Sequence, residues 1–105
     1  MTMVIEWLKF TIDAKNREKF LQKDAEIWTE TLSQYSGYLG KEIWINPNHE
    51  SELIFIIRWR TREDWKTIPQ SVLEETEQKF AEALEGIFYK MIESSEYQVR
   101  KFPSH

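Results

Sequence analysis

The chain of 105 residues contains no cysteine, which excludes disulfide bonds and thiolate metal ligands. It has only two histidines, His49 and His105, so a histidine-rich metal site is not expected. It also has no glycine-rich phosphate loop, no Ser-His-Asp set and no zinc-binding spacing. These absences predict a protein without a bound metal, and no catalytic motif specifies its chemistry.

The chain also lacks an excess of positive charge and a long apolar run. Its net charge of −4 argues against nucleic acid as a partner, because nucleic-acid binders usually carry a basic surface. No apolar stretch approaches the roughly 20 residues that a membrane-spanning helix needs. Residues 1–6 lack the charged and apolar regions of a signal peptide. We therefore expect one cytoplasmic domain over residues 1–105, without membrane contact.

Aromatic residues are plentiful instead: five tryptophans, four tyrosines and six phenylalanines. Each ring carries a large apolar area that is stabilising when it is buried. The composition therefore predicts an aromatic-rich core, interface or pocket.

The hydrophobic pattern predicts four strands and two main helices. Asp13 is suited to cap the first helix, and Gly37 to end it in a left-handed conformation. Thr61 begins a capping-box pattern before a short helix, and Ser71 begins a second one before the long helix that Gly86 ends. The predicted strands cover residues 3–11, 38–46, 52–60 and 88–102, and the first helix covers residues 14–35.

The resulting order, β-α-β-β-α-β, is typical of the ferredoxin-like α+β fold. This fold has a four-stranded antiparallel sheet with both helices on one face. In the fourth strand, Ser94 and Ser95 are expected to mark a bulge or a break.

Residues 53–59 form the most continuous apolar run in the chain, which favours a strand buried on both faces. Two helices cover only one sheet face, so the other face needs a cover as well. We therefore expect a homodimer whose sheets pack face to face, because an exposed apolar patch of that size is unusual for a monomer. Arg58 and Trp59 point to opposite faces, and we expect Trp59 to point into the shared interior. The side chains expected to need this second cover are Tyr38, Trp44, Phe55, Ile57 and Trp59.

Several segments resemble a known family. They are GYLGKEIW at residues 37–44, IIRWRTREDW at 56–65, WKTIPQ at 65–70 and EYQVRKFP at 96–103. With the order of elements, they resemble dimeric α+β barrel proteins related to antibiotic-biosynthesis monooxygenases. The near-full-length similarity is greatest to a small family of uncharacterised, largely cyanobacterial proteins in that superfamily.

The resemblance implies a choice of activities. The superfamily includes cofactor-independent quinone-forming monooxygenases, haem-degrading enzymes and members with no known activity. The haem-degrading relatives use an asparagine on strand one with a tryptophan and a histidine on helix two. This chain has Glu6 and Trp7 on strand one and no histidine in helix two, so we expect no haem and no other cofactor.

Six residues are the candidates for a site. Trp44, Trp59 and Trp65 have rings that can stack on a flat aromatic ligand, and the Tyr97 hydroxyl can donate a hydrogen bond to it. The alternative is that these rings only pack in the core and the interface.

The two charged candidates are Glu6 and Arg58, which lie on otherwise apolar strands. A buried Glu6 carboxylate would be a general base, and Arg58 would hold a phenolic or anionic oxygen. The alternative is an ordinary ion pair at the sheet edge or the barrel rim.

Two functions stay open at this point. The first is a dimer that binds a small hydrophobic or aromatic ligand without catalysis. The second is a cofactor-independent monooxygenase acting on a small aromatic or quinone-like substrate, which needs a dry pocket and a proton acceptor. A cavity containing an ionisable group distinguishes the second from a solidly packed core.

Overall fold

The structure, a computed structural model, describes residues 2–101. Its four strands alternate with helical segments in the order expected from the sequence. The strands are β1 (Val4–Ile12), β2 (Tyr38–Ile45), β3 (Glu52–Trp59) and β4 (Tyr89–Gln98). Strand β4 ends at Gln98 and residues 99–101 are not part of a strand, so the predicted strand four is too long. Phe102 and His105 lie outside the described residues.

The strands form one sheet in the order β2-β3-β1-β4, and each neighbouring pair is antiparallel. Strand β1 lies centrally, between β3 and β4. The predicted ferredoxin-like α+β fold is therefore confirmed.

The first helical run is less regular than predicted. It begins with a 3-10 turn (Ala14–Asn16), whose cap is Asp13, since the Asp13 side chain accepts a hydrogen bond from the Lys15 amide at 3.2 Å. It continues as α1 (Arg17–Asp24), a π-helical turn (Ala25–Thr29) and α2 (Glu30–Leu32). A π-helical turn inside a helix often occurs at functional sites. The run ends at Leu32, so the prediction of one continuous helix to residue 35 is wrong in both regularity and length.

The second helical region consists of α3 (Arg62–Trp65) and α4 (Gln70–Ala83). Thr61 caps α3 as predicted, its hydroxyl accepting from the Asp64 amide at 3.0 Å. Ser71 does not cap α4. Pro69 holds that position with extended dihedral angles, because the fixed φ of proline suits the entry into a helix.

One face of the sheet, which we call the helix face, is covered by the helices. Along β1 and β3 every second side chain points to it, as strand geometry requires. Those residues include Leu53, Phe55, Ile57 and Trp59, all at most 3% exposed. Phe20 of α1 is fully buried here, with its ring centroid 5.4 Å from Phe10, 6.0 Å from Phe55, 5.3 Å from Phe80 and 5.2 Å from Tyr89.

Among residues 2–101, no helix covers the other face, which we call the open face. The strand pairing places Tyr97 opposite Ile5 and Trp44 opposite Ile54 on it. Trp44 and Tyr97 are 49% and 54% exposed. Aromatic and aliphatic side chains therefore meet solvent here across all four strands.

The expected facing of Trp59 and Arg58 is reversed. Trp59 is fully buried on the helix face and packs edge to face on Tyr38, with 5.7 Å between ring centroids. Arg58 points to the open face, where it pairs with Glu42 at 2.9 Å. The helices of the same chain already cover Phe55, Ile57 and Trp59, so of the five residues expected to need a second cover only Trp44 lies on the open face.

The irregularity in β4 lies earlier than predicted. Lys9 pairs with Glu93 and Phe10 with Met91, so the extra residue is Ile92 and not Ser94 or Ser95. The inserted residue changes which side chains face the helices, and it brings Met91 to the helix face.

The central packing predicts unequal costs for two identical substitutions. Phe20→Ala should lower the free energy of unfolding by about 3–5 kcal/mol, because it leaves a cavity among four aromatic rings. Phe88→Ala, at a position 76% exposed, should change it by no more than about 0.5 kcal/mol. Equilibrium denaturation with urea measures both, and equal costs would contradict this account of the core.

Candidate active site

A cavity of about 820 Å³ lies between the helix face of the sheet and the helices. Its floor consists of side chains from β1, β2, β3 and β4, and its walls come from the first helical run, the α3 region and α4. The apolar lining residues are Leu8, Phe10, Trp28, Leu32, Phe55, Ile57, Trp65, Ile68, Leu73, Phe80, Ala81 and Met91, and Tyr89 adds a phenol. The polar ones are Glu6, Asp24, Lys41, Lys66, Gln70, Glu74, Glu77 and Gln78.

The wall formed by α3 depends on a close approach to Gly37. A Cβ atom at Gly37 would lie only 2.3 Å from the Asp64 Cβ, so any side chain there would push α3 away. The φ angle of Gly37 is not positive, so its expected left-handed conformation is wrong, and the contact explains the glycine instead. The two residues that follow Asp64 along the chain, Trp65 and Lys66, both line the cavity.

Glu6 is the carboxyl group of the cavity floor. It lies on the helix face, between Ile57 of β3 and Glu96 of β4. Its Oε1 accepts a long hydrogen bond of 3.5 Å from the Trp59 indole nitrogen. Burial raises the pKa of Glu6, and the Trp59 hydrogen bond and the charges of Lys41 and Lys66 offset this only in part. A carboxyl with a raised pKa is suited to exchange a proton with a ligand.

A buried ion pair lies in the same row of the sheet. Lys41 lies opposite Ile57, on the other side of β3 from Glu6. Its Nζ donates to the Asp24 carboxylate at 2.8 Å, and both side chains are at most 6% exposed. Burial raises the pKa of Asp24 despite this contact, because the loss of water outweighs the attraction of Lys41.

Asp24 is the last residue of α1, directly before the π-helical turn. Trp28, within that turn, lines the cavity. The irregular turn therefore places both a charged and an aromatic side chain on the cavity wall.

A carboxyl group and a phenol, those of Glu77 and Tyr89, lie near each other between α4 and β4. Burial raises the pKa of Glu77, and contact with Trp28 lowers it in part. Burial, with the nearby charge of Glu77, raises the pKa of the Tyr89 phenol. The Tyr89 ring also packs on Phe80, with 5.6 Å between centroids. The cavity thus has ionisable groups on two of its walls.

Lys66 and Trp65 form a cation–π contact at the cavity edge. The Lys66 Nζ lies 4.0 Å from the centroid of the Trp65 ring. Trp indole is the aromatic side chain that attracts a cation most strongly at this range.

The six residues predicted as a site divide between the two faces of the sheet. Glu6 and Trp65 line the cavity, and the Trp59 indole donates a hydrogen bond to Glu6. Trp44, Arg58 and Tyr97 lie on the open face, where Glu42 accepts hydrogen bonds at 2.9 Å from both Trp44 and Arg58. The structure therefore does not bring the six together.

Sequence reasoning missed five further charged residues of the cavity: Asp24, Lys41, Lys66, Glu74 and Glu77. Lys41 had a usable signal, since it is the one cation on the helix-facing positions of β2. Asp24 and Glu77 had none, because a charged residue on an amphipathic helix is normally solvated.

Residues 2–101 contain no candidate metal cluster and no helix that could span a membrane. No group of three or more His, Asp or Glu side chains is placed to hold a metal ion in this part of the chain. Among the helices described, none is long and apolar enough to cross a membrane.

The comparisons with known proteins agree with the fold. The family model described as antibiotic biosynthesis monooxygenase matches residues 3–72. SnoaB, a cofactor-independent oxygenase from Streptomyces nogalater, superposes with a TM-score of 0.69 at 13% identity, covering 100% of both chains. A conserved protein from Methanosarcina mazei Go1 gives a TM-score of 0.62 at 16% identity, covering 97% of this chain and 95% of its own. MupZ from Pseudomonas fluorescens gives 0.65 at 12% identity, covering 91% of this chain and 71% of its own. No curated protein matches the chain.

The buried carboxyl of Glu6 predicts a specific dependence of stability on pH. The pKa of Glu6 is higher in the folded chain than in the unfolded chain. At pH values between the two pKa values, the folded state therefore holds more protons than the unfolded state, and stability falls as the pH rises. The contribution of Glu6 is then fully present below the unfolded pKa of about 4.3 and is lost as pH rises through the folded pKa. Glu6→Gln removes this loss, so the variant should gain stability relative to the wild type as the pH rises above the unfolded pKa of about 4.3.

Urea denaturation at a series of pH values measures this difference. Glu85→Gln is the control, because it removes one negative charge from the exposed turn after α4, away from the cavity. A difference between Glu6→Gln and the wild type that stays constant or shrinks as pH rises would contradict the role of burial.

Proposed function

The chain belongs to the antibiotic biosynthesis monooxygenase family, and we propose that it binds a small hydrophobic or aromatic ligand in the cavity beneath its helices. The observation that carries the proposal is the cavity itself, about 820 Å³ in volume with a mainly apolar lining and Glu6 on its floor. Ligand sites in proteins usually have volumes of roughly 300–1,000 Å³, apolar walls and a few polar groups that orient the ligand.

The lining suggests how such a ligand is held. The indoles of Trp28 and Trp65 offer flat apolar surfaces to a ring, and Glu6 offers an acceptor for one polar hydrogen. Trp59 donates a long hydrogen bond to the same carboxyl group, which leaves it capacity to accept from a ligand.

A second candidate function, cofactor-independent oxygenation of a small aromatic, is favoured by the raised pKa of Glu6 in an apolar cavity. In this reaction a phenol and dioxygen give a quinone and water. Glu6 accepts the hydroxyl proton while the ring carbon forms a bond to dioxygen. One oxygen atom stays as the new carbonyl, and the other leaves as water with the hydroxyl and ring hydrogens. SnoaB, described as a cofactor-independent oxygenase, has the same fold.

The open face supports a homodimer. Trp44 and Tyr97 are half-exposed there, and Ile5, Trp7 and Ile54 lie between them. Half-exposed aromatic and aliphatic side chains on a sheet face are stabilised when a second copy covers them. The similarity to a largely cyanobacterial family and the cytoplasmic location stay predictions.

Ligand binding is tested with 1-naphthol and a variant that narrows the cavity. Gln78→Phe places a ring at the α4 wall and should weaken 1-naphthol binding at least about tenfold, since it occupies space the ligand needs. Gln22→Phe adds the same ring to the exposed surface of α1, outside the lining, and should leave binding unchanged. Isothermal titration calorimetry measures both, and equal affinities would contradict the assignment of the cavity. Recovery of unaltered 1-naphthol under air supports binding alone, whereas quinone with matching oxygen uptake supports the oxygenase.

The dimer is tested by placing charge on the open face. Trp44→Glu should convert the dimer into a monomer, because a second carboxylate beside Glu42, buried between the sheets, is strongly unfavourable. Gln22→Glu adds the same charge on the helix side and should remain dimeric. Light scattering after size-exclusion chromatography measures the mass, and a monomeric wild-type protein would contradict the proposal.

A further inference from the structure

We propose that the cavity selects ligands carrying a protonated amine, which binds between the Glu6 carboxylate and the Trp65 ring. This inference rests on the proposed ligand-binding function and specifies the charge of the ligand. It would make the site one for lipophilic aromatic amines and exclude aromatic carboxylates.

The charged side chains of the lining favour a cationic ligand over an anionic one. Four carboxyl side chains line the cavity, those of Glu6, Asp24, Glu74 and Glu77, against the two amines of Lys41 and Lys66. Lys41 is committed to Asp24 at 2.8 Å in a pair that is almost completely buried. An anionic ligand would therefore find only the exposed Lys66 as a lining cation outside that pair, and it would lie near the carboxyl groups of Glu6, Glu74 and Glu77.

The Glu6 carboxyl group lacks a strong hydrogen-bond donor within the protein. Its hydrogen bond from Trp59 is long, at 3.5 Å, and comes from a neutral donor. Charge-assisted hydrogen bonds to a carboxylate are shorter, at about 2.7–2.9 Å, and roughly twice as strong as neutral ones. A ligand ammonium would supply the short, charged contact that the protein does not.

The proposed position of the ligand amine beside the Trp65 ring is already occupied by the side-chain amine of Lys66. The Lys66 Nζ lies 4.0 Å from the Trp65 ring centroid, and its charge acts on Glu6. Lys66 is exposed and carried by a flexible stem, so its ammonium can be displaced into solvent. A ligand ammonium can take over the same ring face, because cation–π attraction does not distinguish the two.

Charge is tested with three probes that share one ring: 1-naphthylmethylamine, 1-naphthalenemethanol and 1-naphthoic acid. At neutral pH and constant ionic strength we expect the amine to bind at least about tenfold more tightly than the alcohol, as a charge-assisted hydrogen bond would give. The acid should bind more weakly than the alcohol. Isothermal titration calorimetry measures all three affinities.

The variants locate the effect. Glu6→Gln should abolish the preference for the amine while the alcohol still binds. Lys66→Met removes the competing amine and should raise the affinity for the amine relative to that for the alcohol several-fold. Lys79→Met removes the same charge from an exposed site on α4 outside the lining and should change neither.

The outcomes separate this inference from the function on which it rests. Binding of the alcohol without a preference for the amine would overturn the inference and leave the ligand-binding function standing. An equal preference in Glu6→Gln would also overturn it. Failure of all three probes to bind the wild-type protein would overturn both.

Discussion

The packing of Phe20 against the sheet and against α4 is the interaction on which the rest of the structure depends. It joins the first helical run to Phe10 and Phe55 of the sheet and to Phe80 of the long helix, all within 6.0 Å between ring centroids. Large rings at this junction bring the sheet and two helices together at one place. The helices are thereby held over the sheet, and the cavity lies between them with Phe10, Phe55 and Phe80 in its lining.

The charged groups under the helices are costly for folding and therefore informative. Burying Glu6 and the Asp24–Lys41 pair removes them from water, and replacing such groups by apolar ones is often neutral or stabilising. Their presence in surroundings that are mainly apolar points to a role beyond packing. Lys41 and Glu6 flank Ile57 in one row across the sheet, so they lie on the same floor with an apolar residue between them.

Much of the fold could be predicted from the sequence, because strand alternation, helical spacing and capping residues are local signals. The strand bounds and the Thr61 cap are examples. The facing of Trp59 could not be predicted, because alternation shows which residues share a face but not which face the helices cover. The cavity could not be predicted from the sequence either. It depends on the π-helical turn, on the approach of Asp64 to Gly37 and on the Ile92 bulge, and none of these has a distinctive local pattern.

The alternation of β1 has a consequence for how this protein can change during evolution. Glu6 faces the helices, and its neighbour Trp7 faces the other way. A single inserted or deleted residue in β1 would shift the register and exchange the two surfaces, bringing Trp7 under the helices and Glu6 out. Substitutions can therefore alter either surface of β1 independently, whereas changes in its length cannot. Strand β4 differs, since it lies at the edge of the sheet and already accommodates one extra residue at Ile92. Length variation among related chains is thus expected in β4 and not in β1.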